Sequence, residues 1–281
     1  MIRWVYLFLD RPYATLDAAC AFWSRATGTR ISELRGEQGQ FATLLPDAAD
    51  ACVKVQGVVD GPGGAHLDLL VDDVVATGER ARRLGASLLH AEPGLEVLRS
   101  PAGHRFCVDT WRGEHTVPPP TTEPRSRLDQ LCLDTAPGAY DAEVDFWSAL
   151  TEWPEVPCES PEFRLLKATP IQLLLQRLDT DDAPSAHADL ACANRAEAVA
   201  RHTSLGATPL QEGRAWTVLR DPSGGTYCLT DRDPTSGRSG KSSPALGREA
   251  AGSGAEPRDR NAVQPRPAGG DRHSRPSKSI R

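Results

Sequence analysis

Two triplets of residues in this chain could do chemistry, and they are copies of one another. His66-Leu67-Asp68 and His187-Ala188-Asp189 each sit in a short apolar run, Ala65–Val71 and Ala186–Cys192, with Cys107 and Cys228 following at equal distances. The offset of 121 also relates Leu84-Gly85-Ala86 to Leu205-Gly206-Ala207 and Arg99-Ser100-Pro101-Ala102-Gly103 to Arg220-Asp221-Pro222-Ser223-Gly224. Upstream, Phe22-Trp23-Ser24 returns as Phe146-Trp147-Ser148 at an offset of 124, so one small indel separates the blocks. The chain is a tandem duplication, and each copy carries a site in the same place. A His and an Asp two apart on a strand point to one face. Such a pair can orient a ligand or exchange a proton near neutral pH; it can equally be a satisfied polar pair on a sheet surface. Cysteine is among the most buried residue types, so core packing is the simplest role for Cys107 and Cys228.

The elements that must hold these residues follow from periodicity. Trp4–Leu9 is rich in aromatic and branched residues and predicts a strand on which Trp4, Tyr6 and Phe8 alternate. Leu16, Ala19, Cys20 and Trp23 fall at helical spacing, with Thr15 as a cap and Gly28 as the stop. Phe41–Leu45 and Cys52–Val58 predict two strands, with a further one around Arg30–Leu34. After the Gly-rich break Gly61–Gly64, His66–Val71 runs to Asp72 or Asp73 as cap of a helix that Gly85 closes. Leu88–Leu89, Leu95–Arg99 and Arg105–Thr110 predict further strands. The pattern is β-α-β-β, with an extra strand in each half, and it belongs to the α+β class. In the second copy Asn194–Glu197 forms a capping box. Trp23 and Trp147 are expected to pack helix onto sheet.

Four segments result: residues 1–115, a Pro-rich linker at 116–127, residues 128–232, and a Gly/Ser/Pro/Arg-rich tail at 233–281 expected to be disordered. Pro118, Pro119, Pro120 and Pro124 make the linker stiff and extended, a spacer that keeps the copies from packing. Of 32 basic and 38 acidic residues, the tail holds 10 and 5, which leaves 22 and 33 and a net charge of −11 in residues 1–232. So acidic a body argues against nucleic acid or an anionic membrane as partner. Seven cysteines without paired C-x-x-C spacing, and no apolar run of the length a membrane span needs, point to a cytoplasmic protein with free thiols.

A strand opening with His and ending Val-Asp-Asp, a helix ending Leu-Gly-Ala, then Arg-(Asp/Ser)-Pro-x-Gly before a last strand resembles the glyoxalase/bleomycin-resistance group, the vicinal oxygen chelate superfamily. Gly103–Val108 and Gly224–Leu229 are similar to the ending of its glyoxalase-like branch, and the resemblance spans about Ile2–Asp109 and Leu128–Asp231. It implies tandem domains, each of two βαβββ modules forming a curved mixed sheet around a cleft. The enzymes of that family place a metal there, on the first strand of each module and the last strand of the second. Carried over, those positions are Tyr6, His66 and Cys107 in copy one and Gln130, His187 and Cys228 in copy two. Neither set reproduces the usual one, because cysteine replaces the closing Glu. A metal is therefore not favoured, and the nearest approach to a ligand set is Gln130, His187 and Cys228.

The function expected on this basis is metal-free binding or sequestration of a small, partly aromatic molecule. The cleft candidates are Tyr6, His66, Asp68, Cys107, Gln130, His187, Asp189, Trp216 and Cys228. The alternatives are a metal-dependent lyase, isomerase or ring-cleaving dioxygenase, and a catalytically silent structural or regulatory module. The two copies can pair within one chain, and a homodimer remains open.

Overall fold

The computed structural model describes residues 1–239 apart from 60 and 62. Of the tail expected to be disordered, residues 240–281 lie outside the described residues. Copy one begins with β1 (Ile2–Pro12), α1 (Leu16–Thr27), β2 (Arg30–Ile31), β3 (Phe41–Leu45) and β4 (Val53–Val58). It continues with β5 (Gly64–Val71), α2 (Val74–Arg83), β6 (Ser87–Glu92), β7 (Leu95–Arg99) and β8 (Arg105–Thr110). Copy two repeats this as β9 (Ser126–Thr135), α3 (Tyr140–Thr151), β10 (Glu155–Val156), β11 (Phe163–Leu166) and β12 (Gln172–Arg177). Its second half is β13 (Ser185–Cys192), α4 (Arg195–Ser204), β14 (Thr208–Glu212), β15 (Trp216–Arg220) and β16 (Thr226–Thr230). Each half is one βαβββ module. None of these helices is long and apolar enough to cross a membrane.

Each copy forms one eight-stranded mixed sheet, ordered β2-β3-β4-β1-β5-β8-β7-β6 in the first and β10-β11-β12-β9-β13-β16-β15-β14 in the second. The modules join where their first strands pair antiparallel, β1 with β5 and β9 with β13. Each first strand is also parallel to the last strand of its module. The alternation of side chains sorts each strand into two faces. Val5, Leu7, Leu9, Leu67 and Leu69 are fully buried in the apolar core. Trp4, Tyr6, Phe8, His66 and Asp68 occupy the other positions of the same strands.

Local signals set the helix ends. Asp73 accepts from the Ala76 N–H and Asn194 from the Glu197 N–H, which satisfies first-turn donors of α2 and α4. Gly28 takes φ 64° after α1, a left-handed conformation that glycine adopts without a Cβ clash. Thr15 stands at the start of α1, but its side chain does not cap the helix.

The structure corrects two expectations and extends a third, that Trp23 and Trp147 pack helix onto sheet. The linker does not hold the copies apart. Pro118, Pro119 and Thr121 line a small cavity with Ala26, Leu44 and Leu128, and the Asp50 N–H donates to the Thr116 carbonyl at 2.8 Å. Trp23 and Trp147 do not simply join a helix to its own sheet. Trp23 of α1 meets Tyr227 of β16 with ring centroids 4.9 Å apart, and Trp147 of α3 meets Phe106 of β8 at 5.0 Å. Each copy thus lends its first helix to the last strand of the other, and every such aromatic pair adds about 0.5–1.5 kcal/mol beyond area burial. Finally, the tail does not begin at 233. Asp233 accepts from the Thr235 and Ser236 N–H groups, and Arg125 and Lys167 donate to Thr235 Oγ1 and the Ser236 carbonyl. Asp233–Ser239 therefore continues copy two as a strap.

The exchanged contacts are not symmetric in chemistry. On one side Arg11 Nε donates to Asp221 Oδ2 at 2.8 Å, with both side chains fully buried. The offsets place Thr135 and Ser100 at the equivalent positions. There His104 Nε2 meets Thr135 Oγ1 at 3.1 Å, and Glu143 accepts from Trp147 Nε1 and the Ala102 N–H.

Candidate functional site

The same face of each sheet carries a cluster built around the duplicated histidine. In copy one Phe8 pairs with His66 across β1 and β5, which brings Asp10 beside the imidazole. His66 Nδ1 lies 2.7 Å from Asp10 Oδ2, and the ring stacks on Phe8 with centroids 4.7 Å apart and planes 12° apart. Its other nitrogen, Nε2, lies 3.5 Å from Asp68 Oδ1. Cys107 stands opposite Asp68 on β8. The potential donor atoms of His66, Asp68 and Cys107 all lie within 4.8 Å of one another.

Copy two repeats the plan. His187 Nδ1 lies 3.1 Å from Asp134 Oδ2 and Nε2 lies 3.3 Å from Asp189 Oδ1. Cys228 completes the group within the same limit. A second thiol, Cys132, replaces Phe8 and forms another such group with Asp134 and His187. Gln130 Nε2 donates to Asp189 Oδ2 at 2.5 Å, Gln172 Nε2 to Gln130 Oε1 at 2.9 Å and Lys167 Nζ to Gln172 Oε1 at 2.8 Å. The resulting polar chain runs from the imidazole to the strap.

The electrostatics of the two clusters agree. Burial alone would drive the His66 proton off, but the Asp10 charge, its hydrogen bond and Asp68 prevail, and the pKa rises to about 8. Burial works against the charged form of His187 as well, yet the Asp189 and Asp134 carboxylates hold its pKa well above the usual value. Each imidazole is therefore an imidazolium between two carboxylates, as a buried charge requires. Burial pushes the thiols of Cys107, Cys132 and Cys228 up, so they are neutral S–H groups at neutral pH. Burial also raises Asp68, against the pull of His66 and Cys107.

One feature is left over in both copies. Asp68 Oδ1 and Asp189 Oδ1 are buried and have no hydrogen-bond partner among the described residues, and Asp10 Oδ1 shares that state in copy one. A buried acceptor without a donor costs about 1–3 kcal/mol. The Asp68 and Asp189 oxygens face the imidazolium Nε2, at 3.5 and 3.3 Å, as an ion pair without a hydrogen bond of good geometry, which leaves room for a further donor.

The residues singled out from the sequence divide as follows. His66, Asp68 and Cys107 meet in one cluster, and His187, Asp189 and Cys228 meet in the other. Gln130 reaches the second cluster through the Asp189 carboxylate. Tyr6 does not join the first: its hydroxyl donates to Glu114 Oε1 at 2.7 Å, and Lys54 Nζ lies 3.6 Å from its ring centroid. Trp216 is 36% exposed on β15, where Val218 pairs with Cys228, so the indole shares the face of the cluster at its open side. The sequence reading missed Asp10 and Asp134, which fix the imidazoles, although their spacing of 124 equals that of the Phe-Trp repeat. Cys132 and Lys54 were missed as well.

The fold resembles several solved structures of low sequence identity. The manganese(II)-bound glyoxalase from Novosphingobium aromaticivorans matches with a TM-score of 0.59 at 16% identity, over 86% of this chain and 87% of that one. BphC, a halotolerant catechol dioxygenase, matches at 0.56 and 16%, over 82% and 87%. The 2,3-dioxygenase LapB from Pseudomonas sp. KL28 matches at 0.54 and 15%, over 80% and 90%. No protein of curated function matches the chain by sequence. The family described as glyoxalase-like domain matches residues 6–108 and again 130–230. With two such matches over most of its described length, and two vicinal-oxygen-chelate sheets to go with them, the chain belongs to the glyoxalase-like domain family and carries its domain in tandem.

Proposed function

We propose that the cluster-bearing face of each sheet binds a small, partly aromatic molecule with a hydrogen-bond donor, and that it does so without a metal. The observation that supports this is the buried Oδ1 of Asp68 and Asp189, which is paired with an imidazolium but has no hydrogen bond among the described residues. A ligand hydroxyl or ammonium relieves that oxygen, while Phe8 in copy one and Trp216 in copy two offer aromatic surface to its body. The proton already on each imidazole and the neutral thiols favour a metal-free state, because a metal must displace those protons before it can bind.

A second reading, a metal-dependent lyase, isomerase or ring-cleaving dioxygenase, is favoured by one specific arrangement. A carboxylate on Nδ1 orients each imidazole so that Nε2 faces a free carboxylate oxygen and a sulfur, an arrangement typical of metal-bound histidine. The donor set of one nitrogen, one oxygen and one sulfur fits zinc better than a hard ion such as magnesium or manganese. His66, Asp68 and Cys107, or His187, Asp189 and Cys228, would hold it. When bound, such an ion supplies Lewis-acid polarisation of a substrate oxygen.

The test of the first reading is a fluorescence titration of the full chain with phenols and anilines, set beside the same rings without a donor. Donor-bearing rings are expected to perturb Trp216, and Asp189→Ala to weaken their binding about tenfold. Equal binding of both ring sets, or by the variant with its fold verified by circular dichroism, contradicts the reading.

A further inference from the structure

Copy two contains a second cavity that the His187 cluster does not line. Its volume is about 250 Å³, and its walls come from three places: Arg127 and Asp129 on β9, Lys167 to Pro170 with Gln172 at the start of β12, and Thr235 with Ser236 on the strap. Val117 of the linker closes it.

Its chemistry is cationic, in contrast to the acidic body around it. Arg125, Arg127, Lys167 and Arg232 gather here, and the carboxylates on hand are already engaged. Asp129 receives two hydrogen bonds from Arg232, at 2.7 and 3.0 Å. Asp233 is taken up by the turn of the strap. Arg127 lies 3.8 Å from Asp129, and its Nε is buried without a hydrogen-bond partner among the described residues. Among the described residues Lys167 Nζ donates only to neutral acceptors, Gln172 Oε1 and the Ser236 carbonyl, both at 2.8 Å. Burial lowers the pKa of Lys167, and the nearby arginines act in the same direction against Asp129. A buried guanidinium N–H without an acceptor, next to an ammonium that bonds no carboxylate, is a place where positive charge exceeds what the described residues neutralise.

The feature belongs to copy two alone. By the offset of 124, Asp129 corresponds to Val5 and Arg127 to Arg3. Val5 is core, and Arg3 is spent on Asp72 at 2.9 Å. The basic wall is therefore not a requirement of the fold.

We propose that this cavity is a binding site for a small oxyanion, a carboxylate or phosphate group held between Arg127 and Lys167 under the strap. Arg127 supplies its guanidinium and Lys167 its ammonium, for charge-assisted bonds of the kind that anion sites use. The site goes beyond the proposed ligand at His187. It is linked to that cluster through the chain Gln172–Gln130–Asp189.

Calorimetric titration of the full chain with inorganic phosphate, and separately with acetate, tests this at fixed ionic strength in chloride buffer. Saturable binding of at least one anion in the millimolar range is expected, and the anion that binds more tightly names the source. Lys167→Met and Arg127→Met are each expected to weaken it about tenfold, and Arg3→Met, the counterpart in copy one, to leave it unchanged. Absence of saturable binding by either anion overturns the proposal. So does binding of equal strength in a folded Lys167→Met or Arg127→Met protein, or loss of binding in Arg3→Met.

Discussion

Replacing Asp221 by alanine lowers the free energy of unfolding by about 3–5 kcal/mol, the cost of leaving a buried charge without its partner. Asp221 is 3% exposed and bonds two side chains of the other copy. Its Oδ2 accepts from Arg11 Nε at 2.8 Å and Trp23 Nε1 at 3.0 Å, both from copy one. Its Oδ1 accepts from the Ser223 N–H, the Ser223 hydroxyl and the Gly225 N–H, which closes the turn before β16. The substitution strands an arginine that is fully buried and loosens the turn at once. Gly225 has no side chain for a visible reason: a Cβ there would stand 2.1 Å from the Arg11 guanidinium carbon. Urea denaturation of the wild type and the variant checks the figure. A loss below about 1 kcal/mol, the range of an exposed pair, would mean that the ion pair does not join the copies.

The second large effect is a loss of stability in acid. His104 and His202 are buried and neutral, and burial holds both at a pKa of about 4. His104 rests on Thr135 of the other copy, and His202 bonds Tyr227 at 2.8 Å while packing against Phe22 of the other copy. The unfolded chain takes up these protons near pH 6.5 and the folded chain only near 4. Between those values the unfolded state binds more protons, so stability is fully present above about 6.5 and falls as the pH drops toward 4. Each histidine contributes on the order of 3 kcal/mol over that window. Asp68 and Glu143, whose pKa values burial raises, act in the opposite sense. The readable quantity is thus the difference between wild type and His104→Gln/His202→Gln. Urea midpoints from pH 7 to pH 4.5 should fall steeply in the wild type and more gently in the double variant. Parallel slopes would mean that these histidines are not held neutral.

The duplication, the strand-helix order of the modules and the caps of α2 and α4, though not of α1, were legible because each rests on local chemistry. Alternating apolar residues mark strands, Asp73 and Asn194 mark helix starts, and Gly85 and Gly206 mark ends. The packing of α1 and α3 was not legible. An apolar helix face such as Phe22-Trp23 announces that it will be buried, but not which sheet buries it. Here the partner is β16, some 200 positions away in sequence. The linker was misjudged for a related reason: prolines fix local extension, but they do not prevent Thr121 or Pro119 from lying against α1. At the site, His66, Asp68, His187 and Asp189 were found through their repeat and their spacing of two. Asp10 and Asp134 escaped because their role depends on register between β1 and β5 and between β9 and β13, which sequence periodicity alone does not set. Tyr6 was aligned with Gln130 by offset alone, and the loop after β8 decided its role by presenting Glu114 to its hydroxyl.

On the proposed reading, the two His–Asp–Cys clusters are sites for a donor-bearing small molecule, each closed by a proton and not by a metal. Elemental analysis of the full chain purified without chelator, followed by zinc titration of wild type, His66→Ala and His187→Ala, tests it most directly. The account predicts less than stoichiometric metal in the wild type and no tight zinc binding that either substitution removes. One or two metals per chain, with one lost in each single variant, would contradict it and make the metal-dependent enzyme the better reading.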